Sequence, residues 1–100
     1  MDVRLLYFDG CPNWMLARDR LVEAVRAIGA DPDEIRLEAV ETPEDAARLQ
    51  FRGSPSILID GSDPFAAPGS PVGLACRIFQ TDAGMQGSPS IDQLVAAIRR

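Results

Sequence analysis

Apolar and polar positions along the chain alternate between two periods. Val3 to Phe8 form an apolar run rich in strand formers, ended by Asp9 and Gly10, and predict a buried strand over 3–8. From Trp14 the apolar positions recur at helical spacing, at Ala17, Leu21, Val25 and Ile28. They predict a helix over about 12–28, with Pro12 suited to its first turn and Gly29 to a left-handed stop. Asp31, Pro32 and Asp33 are turn residues. Residues 35–40, IRLEAV, alternate apolar with charged and predict a second strand. Thr42 then stands as N-cap before Pro43, opening a short helix over 43–50 with Ala46, Ala47 and Leu49 inward.

Gly53 breaks the pattern, and Ile57, Leu58 and Ile59 predict a third strand closed by Asp60 and Gly61. Residues 62–72 hold three prolines and predict an irregular loop, with Phe65 exposed in it. Residues 73–79, GLACRIF, alternate again. Leu74, Cys76 and Ile78 share one face, and Ala75, Arg77 and Phe79 the other, which predicts a fourth strand. Core packing is the favoured role for Cys76, and a solvated face the favoured role for Arg77, with a carboxylate or thiolate as its other partner. Residues 80–89 are expected to be loop. Ser90 and Gln93 make a capping box for a last helix lined by Ile91, Leu94, Val95 and Ile98. The predicted order is β-α-β-α-β-β-α in a single α/β domain over 1–100. Its last two strands are expected as antiparallel neighbours.

Composition narrows the chemistry. The hydrophobic content of 46% suffices for one modest core. A net charge of −5 argues against nucleic acid. No apolar run approaches bilayer length and the N-terminus has no leader pattern, so no membrane partner and a cytoplasmic location are expected. The ten basic residues are all Arg, and there is no His, so no Ser/His/Asp or Cys/His unit exists in the chain. Two cysteines distant in sequence make a poor zinc site, and neither metal nor cofactor is expected. In a reducing compartment they are thiols rather than a staple.

Cys11 falls where the first strand gives way to the first helix. Free N–H groups and the positive end of the helix dipole favour a thiolate there. Asp9 opposes this, unless it turns to solvent.

The element order, with D-G-C-P-N-W at 9–14 and G-S-P-S-I-L-I-D-G at 53–61, resembles the thioredoxin-like family over nearly the whole chain. The resemblance implies a four-stranded mixed sheet flanked by three helices. It implies that Cys11 is the nucleophile and that Pro55 is a cis-proline facing it. Pro55 is then expected to shape a substrate groove and the Ser54 backbone to pair with an extended substrate, while Trp14 is either an aromatic wall that holds substrate beside the thiol or a core residue. Trp14 stands where the family has a second cysteine. A mixed disulfide on Cys11 then needs another thiol to release it, either a low-molecular-weight or protein thiol, or Cys76. In the resembled fold the third strand lies between the first and the fourth. Cys11 and Cys76 are thus expected two strand spacings apart, about 9–10 Å, beyond the roughly 7 Å Cα limit for a disulfide. The expected function is thiol–disulfide exchange, or mixed-disulfide or peroxide-linked thiol chemistry, with Cys11 as nucleophile. The alternatives are a non-catalytic binding module and, less favoured, a thiophilic-metal protein resembling alkylmercury lyases, with Cys11, Cys76 and Asp9 as its set. Oligomeric state is not encoded in any of these features.

Overall fold

The computed structural model describes residues 2–66 and 72–99. Strand β1 (Val3–Tyr7) is the centre of a three-stranded sheet of order β2-β1-β3. It pairs in parallel with β2 (Arg36–Ala39) and antiparallel with β3 (Ser56–Ile59). Both of its faces are covered, which is why its sequence is a near-continuous apolar run. Val3 and Leu5 point to a core shared with Ala17, Leu21, Ala24 and Val25 of helix α1 (Asn13–Ala27) and with Leu94 and Ile98 of helix α3 (Ile91–Ile98). Leu6 points the other way, to Val40, Phe51 and Ala46 of helix α2 (Pro43–Leu49). Two helices therefore lie on one face of the sheet and one on the other.

The helix ends follow the local code. The Thr42 hydroxyl accepts from the Asp45 amide at 3.1 Å, and Pro43 opens α2. Ser90 and Gln93 form the reciprocal capping box of α3. Gly29 takes φ +80° after α1, and the Ala30 amide donates back to the Val25 carbonyl at 3.1 Å. Arg20 of α1 donates to Gln86 and to the carbonyls of Ser88 and Pro89, fixing the approach to α3.

Two expectations are corrected. The sheet is not four-stranded: residues 73–79 add no fourth strand to β3, and their one isolated bridge, Cys76 to Ser54, is made just outside it. That bridge is parallel, not antiparallel. Phe79 instead begins a separate two-stranded hairpin of β4 (Phe79–Thr81) and β5 (Gly84–Gln86), inside the stretch expected to be loop. The Thr81 hydroxyl stabilises the two-residue turn, accepting from the Ala83 amide and donating to the Gly84 carbonyl. Strands of three residues each, without an Asn-Gly or Asp-Gly turn, carry almost no periodicity to detect.

The second correction concerns faces. Leu74, Cys76 and Ile78 do not line a core: Leu74 is 39% and Ile78 55% exposed, Cys76 is exposed, and Ala75, expected on the other face, is exposed as well. Phe65 is not exposed. It packs on the main core and meets Phe79 edge to face, with ring centroids 5.8 Å apart. Of the expected loop over 62–72, residues 67–71 lie outside the described residues.

A buried thiol beneath an exposed one

Cys11 sits one residue before Pro12, the cap of α1. Its amide donates to the Phe8 carbonyl at 3.1 Å, which closes the turn leaving β1. The side chain is fully buried, at 0% exposure, and its Sγ lies 3.5 Å from the Ser54 carbonyl oxygen. Asp9 turns to solvent. Ser54 is also fully buried, and the Ser54–Pro55 bond is cis, in line with the expectation from the sequence.

The backbone of Ser54 organises the site. Its amide donates to the Ala75 carbonyl at 2.7 Å, and its carbonyl accepts from the Arg77 amide at 2.8 Å. Successive residues of an extended segment present side chains to opposite sides. Between these two anchors, Cys76 is held over Cys11: the Cys76 Sγ–H donates to Cys11 Sγ at 2.9 Å. The thiols are reduced and free, and the separation exceeds the ~2.0 Å of a disulfide.

The spacing of two strands expected between them does not exist. Because segment 75–77 pairs with Ser54, outside β3, no intervening strand keeps the sulfurs apart. Gly53 makes the close approach possible. It adopts φ +106°, and a Cβ there would lie 3.0 Å from the Ala75 oxygen and 3.2 Å from Arg77 Cβ.

The two thiols differ in access. Cys76 is exposed and Cys11 is not. The Cys76 thiol is held above its ordinary pKa. The first cause is the hydrogen bond its S–H gives to Cys11. Partial desolvation and repulsion from charge on Cys11 add to it.

The other residues singled out in the sequence are placed as follows. Trp14 stacks on Tyr7 with centroids 4.1 Å apart, has the Arg18 guanidinium 5.5 Å from its ring, and packs against the main core. The backbone hydrogen bonds of Ser54, expected to receive an extended substrate, are occupied by Ala75 and Arg77 of the same chain. Arg77 is not on a solvated face. It pairs with Asp63 at 2.7 Å, with side chains only 10% and 9% exposed. The sequence pattern does not reveal this partnership, since the two positions are 14 apart along a proline-rich stretch.

Among the described residues, no group of three or more His, Cys, Asp or Glu could hold a metal ion, so Asp9 does not join the two thiols. No helix of the described residues is long and apolar enough to cross a membrane. Compared with family models, curated proteins and solved structures, the chain matches none of them.

Proposed function

We propose that this protein carries out thiol–disulfide exchange through the pair Cys11 and Cys76, cycling between a dithiol and an intramolecular disulfide. The observation that carries this reading is the 2.9 Å contact between the two sulfurs. The thioredoxin-like resemblance of residues 9–14 and 53–61 leads to the same exchange chemistry with the parts reversed: it implies Cys11 as the attacking thiol, whereas access gives that part to Cys76 and leaves Cys11 to resolve the mixed disulfide.

Access assigns the order of events. The exposed Cys76 loses its proton to solvent and attacks a sulfur of an external disulfide. A bond forms between Cys76 and that sulfur, and the other half leaves as a thiolate that takes a proton. Cys11, already in contact, then loses its proton and attacks Cys76 Sγ, releasing the second half as a thiol. The protein dithiol is oxidised by two electrons and the external disulfide is reduced to two thiols. Leu74 and Ile78, exposed on either side of Cys76, give the incoming disulfide an apolar setting. The raised pKa of Cys76 makes the first attack faster as pH rises above neutral, because only the thiolate is nucleophilic. A peptide-binding module without chemistry is less well supported, because the Ser54 edge it would use is filled by residues 75–77.

Oxidised glutathione supplies the test. The wild type should lose two hydrogens by mass, lose both free thiols and keep no adduct. Cys11→Ser should retain one glutathione, on Cys76. Cys76→Ser should keep Cys11 unmodified until denaturant exposes it. A persistent adduct on the wild type, or two free thiols in folded, oxidant-treated protein, would refute the dithiol reading.

A further inference from the structure

We infer that the buried Arg77–Asp63 ion pair is a positioning device: it fixes the register of segment 75–77 against Ser54 and thereby holds the Cys76 sulfur on Cys11. The inference rests on the dithiol reading and deepens it. Segment 75–77 is tied to Ser54 by the two backbone hydrogen bonds of a single parallel bridge. So short a pairing specifies its register weakly. A slip of one residue reverses every side chain, turning Cys76 away from Cys11 and bringing Ala75 or Arg77 over it.

Arg77 removes that freedom. Its Nη1 reaches Asp63 Oδ2 at 2.7 Å and its Nη2 reaches Oδ1 at 3.4 Å, a two-pronged contact that only one placement satisfies. The same Nη1 lies 3.4 Å from the hydroxyl of Ser56, at the start of β3. The guanidinium stacks over Phe79, 4.6 Å from the ring centre, and Phe79 is itself seated against Phe65. Asp63 is fixed in turn, its Oδ1 accepting from the Phe65 amide at 2.9 Å. Arg77 thus ties the residue after Cys76 both to β3 and to the segment around Asp63. An ion pair this buried is weak grounds for stability, since desolvation offsets its attraction, whereas fixing a register is the best-attested use of such pairs. Arg77 touches neither sulfur in any hydrogen bond or ion pair of the structure, so it acts through Cys76 rather than on the substrate.

The test compares Arg77→Met and Asp63→Asn with Val25→Ala, a core truncation away from the thiols that controls for lost stability. In glutathione buffers the equilibrium constant for the Cys11–Cys76 disulfide should fall at least about tenfold in the first two variants and stay unchanged in the control, as expected when two reacting groups lose alignment. Arg77→Lys, which keeps the charge but not the fork, should recover part of the loss. A second readout needs no disulfide chemistry. The midpoint pH of Cys76 alkylation, raised in the wild type by contact with Cys11, should drop toward that of a free thiol in Arg77→Met and Asp63→Asn only. An equilibrium constant and alkylation midpoint like those of the wild type in both variants would overturn the inference. So would equal changes in Val25→Ala at equal loss of thermal stability. If the wild type forms no disulfide at all, the dithiol reading fails, and the alkylation midpoints alone still decide whether Arg77 positions Cys76.

Discussion

Replacing Gly53 by Ala tests the arrangement of the site most directly, because two separable costs meet at that residue. The first is conformational. At φ +106° an L side chain is strained, at about 1–3 kcal/mol. The second is spatial. The new Cβ would stand 3.0 Å from the Ala75 oxygen and 3.2 Å from Arg77 Cβ, so segment 75–77 must retreat by a few tenths of an ångström or the packing must strain, at about 1–3 kcal/mol. Together these give about 2–6 kcal/mol, a large share of the 5–15 kcal/mol usual for a domain.

Two other glycines separate the terms. Gly29 has φ +80° and nothing within 4 Å of the place a methyl group would take, so Gly29→Ala should show strain alone, about 1–2 kcal/mol. Gly73 has open space and no positive φ, so Gly73→Ala should stay within about 0.5 kcal/mol. Urea unfolding of the three reduced proteins measures the differences, provided the m-values agree. Only Gly53→Ala should also lower the equilibrium constant for the Cys11–Cys76 disulfide, since retreat of Ala75 and Arg77 carries Cys76 with them. If Gly53→Ala and Gly29→Ala match in both stability and disulfide equilibrium, segment 75–77 does not rest on Gly53 and the account of the site is wrong.

Other outcomes follow from single contacts. The folded pKa of Cys76 is raised, so its contribution to stability should be complete below the unfolded thiol value of about 8.5 and fade as pH climbs through the folded value; urea midpoints of the reduced wild type should therefore drop between about pH 7 and pH 9.5 more than those of Cys76→Ala, and an equal or smaller drop would contradict the hydrogen bond to Cys11. Ser90→Ala removes the acceptor for the Gln93 amide and should cost about 1 kcal/mol by urea unfolding, with the Cys11–Cys76 equilibrium unchanged. Gln93→Ala should cost more than Ser90→Ala, because Gln93 also donates to the Gln80 carbonyl of β4 at 2.8 Å; thermal melts showing the reverse order would count against that tie.

Much of the fold was legible because its signals are local. Thr42 with Pro43, and Ser90 with Gln93, mark helix starts through bonds that span three residues. The apolar run 3–8 announced a strand covered on both sides, and the stripe from Trp14 to Ile28 announced a helix with one buried face. The hairpin 79–86 was not legible: its strands are too short for a period to emerge, and its turn depends on a threonine hydroxyl.

The sequence by itself determined where each helix begins, where the central strand runs, and that a thiol stands between that strand and the first helix. It also showed an alternation of residue types over 73–79, which predicts two faces for an extended segment. Alternation cannot say which side of that chain meets water. That was decided by the docking of 75–77 onto Ser54, with Gly53 leaving room and Asp63 holding Arg77 inward. The contact of Cys11 with Cys76, across sixty-five residues of sequence, was decided in the same way. Segment 75–77 pairs with the residue before β3 rather than with β3 itself, and only the packed chain determines which of those pairings is made.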